Sequence, residues 1–123
     1  MNSQDEVLAH EVARRLAPRY GFELPQLVAD VIEAEKAGAR PLKGKNELNA
    51  FARNLKTVTD AVLRLWKSFT SSGLKVEMRK KQTIERLLAD GVIKDEDDKI
   101  IAKEAIETIY IFKIEMSDGG NDS

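Results

Sequence analysis

The side chains able to do chemistry in this chain are few in kind. There is one histidine, His10, and no cysteine among the 123 residues, while Asp and Glu number 21 and Lys and Arg 20. Without thiols the chain has no disulfides, thiolate nucleophiles, zinc fingers or iron–sulfur ligands, which fits a reducing compartment. One imidazole cannot make a multi-histidine metal site. His10 falls near the middle of a first helix, where it reads as a surface or half-buried side chain and not as the base of a Ser-His-Asp triad. A paired-carboxylate hydrolase would set Asp or Glu on apolar helix faces, and the pattern puts none convincingly there.

Two motifs come near a ligand site and miss it. Gly38–Asn46 (GARPLKGKN) has its glycines six apart where a phosphate loop needs five, Asn46 in place of the hydroxyl residue, and no strand before it. Asp95–Asp98 is followed by Lys99 and Ile100, which stand where a calcium loop needs a ligand and a turn glycine. Carboxylates in that position complement the positive end of a helix dipole, so the run is expected to open a helix. No catalytic residue, metal, cofactor or small-molecule substrate is expected.

The cations offer more. A net charge of −1 conceals blocks: residues 1–38 carry 4 basic and 7 acidic residues, 39–86 carry 12 and 4, and 87–123 carry 4 and 10. Either the acidic ends pack on the basic middle and neutralise it, or the middle faces an acidic partner. At 100° per residue, Arg53, Lys56, Arg64 and Lys67 gather opposite the apolar stripe of a long helix, with Asp60 as the acidic interruption. If the segment after Leu74 is helical, Lys75, Arg79 and Arg86 make a second basic face beside Gln82, with Lys80 and Lys81 next to it. These nine cations are the candidate face for an acidic partner or a nucleic acid.

Leu87–Ile101 (LLADGVIKDEDDKII) looks like the junction of winged-helix domains, in which a recognition helix ends at a glycine and a short hairpin follows. That resemblance implies that Arg79, Lys80, Lys81, Gln82 and Arg86 belong to a helix entering the major groove, and that Val92-Ile93 pairs with Ile100-Ile101.

The elements that must position these groups follow from spacing. Ser3 and Glu6 form a capping-box pattern; Val7, Leu8, Val12 and Leu16 give a first helix its stripe to about Ala17, where Pro18 should stop it. Pro25 suits the first turn of a second helix with Leu27, Val28, Val31 and Ile32 on one face and Gly38 at its end. Ala39–Lys45 reads as an exposed basic loop. The strongest signal is a third helix over about 46–70, where Leu48, Phe51, Leu55, Val58, Val62, Leu65 and Phe69 alternate spacings of three and four. Residues 74–79 alternate like a strand and also suit the start of a helix running to Ala89, with Gly91 as its stop and Val92 folding back. A last helix has Ile101, Ala105, Ile109, Phe112 and Met116 inside. Residues 108–116 suit either a helix or a strand; from Ile109 to Met116 the segment is apolar almost all round, and Tyr110, Ile111, Phe112 and Ile114 form a candidate oligomer or partner interface.

A chain of 13.8 kDa hides roughly two thirds of its unfolded surface, enough for one core. One helical domain over 1–116 with a disordered tail at 117–123 is expected. The polar, acidic start and the absence of about 20 consecutive apolar residues make a signal peptide or a membrane span unexpected, and the chain reads as cytoplasmic. The fold expected is all-α, a compact bundle of four to five helices with a long central amphipathic helix. The alternative is α+β with a winged-helix-like C-terminal half. The function expected is a non-catalytic binding or regulatory protein, self-associating or covering a protein partner; the alternative is nucleic-acid binding through the basic middle.

Overall fold

The computed structural model describes the backbone of residues 3–38, 47–69 and 73–120, and the side chains of residues 6–38, 47–69 and 73–111. Five helices follow one another within them: α1 (Ser3–Tyr20), α2 (Leu24–Lys36), α3 (Glu47–Ser68), α4 (Val76–Ala89) and α5 (Glu96–Gly120). No strand occurs among the described residues, so the all-α expectation holds and the α+β alternative does not. Residues 76–79 belong to α4, and Ile100 and Ile101 lie in the first turns of α5, where they cannot pair with Val92 and Ile93 as a wing. The expected basic loop at 39–45 lies outside the described residues. The division at residue 116 falls in the part of α5 whose side chains are outside them too.

α1, α3 and α5 pack on one another; α2 lies against α1 and α3, and α4 against α3 and α5. α3 therefore meets four neighbours, and its buried surface is wider than the stripe of threes and fours. Leu55, Val58 and Val62 are fully buried as that stripe requires, but Ala52, Thr59, Ala61, Leu63 and Trp66 are buried beside them. The core also takes in Leu8, Val12 and Leu16 of α1, Leu24, Val28 and Val31 of α2, Leu87 of α4, Ile93 after it, and Ile101, Ala105 and Ile109 of α5.

Side-chain pairs fix the helix directions. Tyr20 at the end of α1 meets Asp97 at the start of α5, and Arg15 meets Glu104, so these two helices are antiparallel. Glu6 and Lys36 close the antiparallel α1–α2 pair at 3.5 Å; the Ser3 half of the expected capping box lies outside the described side chains. Arg79 early in α4 meets Trp66 late in α3, and Lys80 meets Glu107 in the middle of α5. One end of the bundle thus collects the 21–23 turn, the start of α3, the end of α4 and the start of α5. The other collects the start of α1, the end of α2, the end of α3 and the start of α4.

The helix ends have local causes. α1 runs through Pro18 because a proline in the last turn removes one amide only, and the Gly21 N–H still reaches the Ala17 carbonyl at 2.8 Å. Gly21 has φ of +147°, and a Cβ there would stand 3.0 Å from the Leu48 side chain, so both the conformation and the space call for glycine. α4 ends at Gly91 (φ +77°): the Gly91 N–H donates to Leu88 O at 3.1 Å and the Val92 N–H to Leu87 O at 3.0 Å. This is the Schellman arrangement, with Val92 folded back as the sequence suggests.

α5 opens on its acidic run, and one member is not on the surface. Asp98 is 6% exposed. Its carboxylate accepts the Lys94 N–H at 2.9 Å and the Asn54 Nδ2 of α3, while the Asp98 N–H donates to the Asp95 carboxylate at 2.9 Å. The expectation that no acid lies on an inner face is corrected here. Asp98 can be buried because the amides of a helix start and one asparagine satisfy its charge. Next to it, the Tyr20 hydroxyl donates to Asp97 at 2.9 Å, and the Tyr20 ring stacks on Phe51 with centroids 4.1 Å apart. Replacing Asp98 with Ala leaves Asn54 and the Lys94 amide without their acceptor. Urea unfolding is expected to show a loss of about 3 kcal/mol, against under about 1 for the exposed neighbour Glu96→Ala.

Candidate functional site

The nine cations of the candidate face divide into three groups by what surrounds them. Lys56 is buried: its ammonium lies 2.6 Å from Asp60 and 3.2 Å from Glu35 of α2. It leaves the face because α2 covers the edge of α3 that a helical wheel assigns to solvent. Burial lowers its pKa, but hydrogen bonds and the charges of Asp60 and Glu35 outweigh this and raise it above the ordinary 10.5. Arg53, half-buried, edges a shallow groove between α2 and α3 with Leu27, Asp30, Val31, Asn49 and Ala52.

Arg79 and Lys80 are also committed. The Arg79 guanidinium lies 4.1 Å from the centroid of the Trp66 ring, and its Nη2 donates to the Trp66 carbonyl at 2.8 Å, capping the last turn of α3. Burial lowers the Arg79 pKa, without removing its charge at ordinary pH. Arg79 Nε, Trp66 Nε1 and Thr83 Oγ1 are buried with no hydrogen-bond partner among the described residues. Lys80 bonds Glu107 at 2.9 Å, approaches Glu77 at 3.8 Å and sits 5.2 Å over the Tyr110 ring. The Glu107 hydrogen bond is the largest influence on Lys80 and raises its pKa; burial opposes it. Both side chains thus make contacts within the bundle, while Lys81 and Arg86, of the side chains that the winged-helix resemblance assigns to a major groove, are exposed. Arg86 is exposed but lies 3.3 Å from Asp90.

Four cations remain open. Arg64 and Lys67 on the last turns of α3, and Lys75 and Lys81 at the start of α4, are exposed and have no ion pair among the described residues. They sit on two helices that pack together. Met78, spaced three residues from both Lys75 and Lys81, is 44% exposed between them.

The second candidate, Tyr110, Ile111, Phe112 and Ile114, is described in part. Tyr110 and Ile111 are half-buried, Tyr110 beneath Lys80, and the side chains of Phe112 and Ile114 lie outside the described residues. His10 is exposed on α1. Among the described residues there is no group of His, Asp and Glu placed to hold a metal ion, and no helix long and apolar enough to cross a membrane.

Two features were not read from the sequence. Trp66 falls one place beside the three-four stripe, and only its being the single tryptophan sets it apart. Phe22, in the turn between α1 and α2, is 80% exposed; an aromatic residue in a short Gly-containing turn is the signal that could have marked it. Compared with protein-family models, curated proteins and solved structures, the chain matches none.

Two sets of variants check this partition. Arg79→Ala is expected to cost about 2 kcal/mol, from the lost cation–π contact and charged hydrogen bond, and to shift emission of the sole tryptophan to the red. Lys56→Met replaces a buried cation by an isostere and should stay within about 1 kcal/mol of the parent, whereas Asp60→Asn strips a partner from a retained charge and should cost about 2. The folded pKa of Lys56 and Lys80 is raised above 10.5 and that of Tyr20, chiefly by burial, above 10.0. Each stabilisation is therefore complete below those values and fades as pH rises through the higher folded ones. The urea midpoint should fall above about pH 10, and less steeply in Lys56→Met.

Proposed function

We propose that this is a non-catalytic binding protein that holds an acidic protein surface against the cations ending α3 and beginning α4. The observation that carries the reading is the set Arg64, Lys67, Lys75 and Lys81, exposed and without acidic partners among the described residues. Acidic residues elsewhere in the bundle neutralise Lys56, Lys80 and Arg86 and leave these four. Exposed charges that no ion pair compensates raise the local potential and attract an opposite surface. α3, as the long central element, is the rigid support on which this face is built.

Met78 favours a protein over a nucleic acid. A phosphate backbone gains nothing from a half-exposed thioether, whereas a protein partner can bury it as the apolar centre of a charged rim. The nucleic-acid alternative keeps the same four cations and loses Lys56, Arg79 and Lys80, which makes it the weaker reading.

The test is fluorescence anisotropy with two labelled probes, an acidic amphipathic peptide carrying Glu and Leu and a mixed-sequence DNA duplex. The peptide should bind, and Lys75→Glu with Lys81→Glu should weaken it at least tenfold. Four phosphate contacts would make any DNA affinity fall roughly a hundredfold between about 50 and 200 mM salt. DNA binding with that slope, tighter than the peptide, would overturn the protein-partner reading in favour of nucleic acid.

A further inference from the structure

The two ends of the bundle are opposite in charge, and each carries an exposed large apolar side chain. At one end lie Glu23, Glu47, Asp95, Glu96 and Asp97, all exposed, against Arg19 and Lys94. Phe22, 80% exposed, projects from the turn beside Glu23. At the other end lie Arg64 and Lys67 on α3 and Lys75 and Lys81 on α4, all exposed, against Glu77, with Met78 exposed between the two lysines of α4. The directions of the helices produce this polarity: Tyr20–Asp97 and Asn54–Asp98 bring the acids together, and Arg79–Trp66 brings the basic helix ends together.

We infer that the acidic end of one copy of this chain docks on the basic end of another, with Phe22 seated against Met78 inside a rim of opposite charges. The inference rests on the proposed docking role of the basic end and names its partner as a second copy. Charge complementarity argues for that occupant. The exposed acids at one end outnumber the bases there and the exposed bases at the other outnumber the acid, so copies attract in one orientation and repel when like ends meet. An aromatic ring against a thioether is a favourable apolar centre for such a contact. The contact is heterologous, using different surfaces on the two copies, so it does not close on a two-fold axis and extends into chains. A contact limited to the bundle ends falls in the small, transient class, below about 1,200 Å².

Light scattering after gel filtration tests this with the full chain at about 50 mM and about 500 mM salt, a range over which surface charges go from weakly to strongly screened. The mass-average should rise steadily with concentration from 13.8 kDa at low salt and return to the monomer at high salt. Two variants make the test specific. Glu23→Lys with Glu96→Lys turns the acidic end basic, and Lys75→Glu with Lys81→Glu turns the basic end acidic; all four positions are exposed, so both variants should fold. Neither should assemble alone, and a mixture of the two should assemble, because each then offers the other an opposite end. Phe22→Ser should weaken parental assembly at least fivefold.

A monomer under all conditions, a discrete dimer indifferent to salt, or variants that fail to assemble when mixed would each overturn the inference. The dimer would point instead to the apolar stretch around Tyr110 and Ile111. A monomeric chain that binds the acidic peptide and loses it in Lys75→Glu/Lys81→Glu overturns the assembly and leaves the docking reading standing. Assembly by the mixing rule without peptide binding supports both, with a second copy as the acidic surface that the basic end holds.

Discussion

The burial of the Asp98 carboxylate constrains where everything else in the bundle can sit. A charge removed from water must find donors, and Asp98 finds them in the Lys94 amide and in Asn54 of α3. Those bonds set the height at which α5 begins beside α3. Asp97, one residue earlier, then meets the Tyr20 hydroxyl, and Tyr20 stacks on Phe51, so α1 is fixed at the same level. Shifting α5 by a turn would break these bonds together and leave an unpaired charge in the core. The register of the α1–α3–α5 core follows from a polar requirement, and the apolar side chains then fill the space it defines.

The opposite end is held differently. α4 buries only Thr83 and Leu87, and much of its attachment is electrostatic: Arg79 over Trp66 and Lys80 to Glu107. An arginine that caps α3 while lying on an aromatic face exchanges a solvated charge for a dipole and a ring. The cost is visible in the buried Nε of Arg79 and Nε1 of Trp66, which have no partner among the described residues. Because α4 uses two of its cations inward, the others on its first turns are turned outward. The open charges at this end are thus a consequence of how α4 is attached.

Helix positions were largely legible from residue order alone. Spacings of three and four from Leu48 to Leu65, the stop at Gly91 with Val92 folded back, and the acids opening α5 are local effects, set by backbone geometry and by neighbours within one turn. Pro18 misled for a local reason as well: a proline penalty that ends a helix in its interior is small in the last turn. The alternation of Leu74, Val76 and Met78 suits a strand as well as the favoured helix, and the helix from Val76 is the one that packs against α3 and α5.

The candidate site was legible only as a composition. The sequence marked nine cations and could not say which would be consumed, because Lys56 and Glu35, or Lys80 and Glu107, are far apart along the chain and meet only across packed helices. Residue order determined the helices, their amphipathic faces and the total charge. Tertiary structure decided which acids reach which bases, put Asp98 inside, and left Arg64, Lys67, Lys75 and Lys81 exposed without an ion pair among the described residues. The physical reason is range: helix formation and capping act within about four residues, while the fate of a charge depends on its nearest opposite charge in space, within a Debye length of roughly 10 Å, whatever its place in the chain.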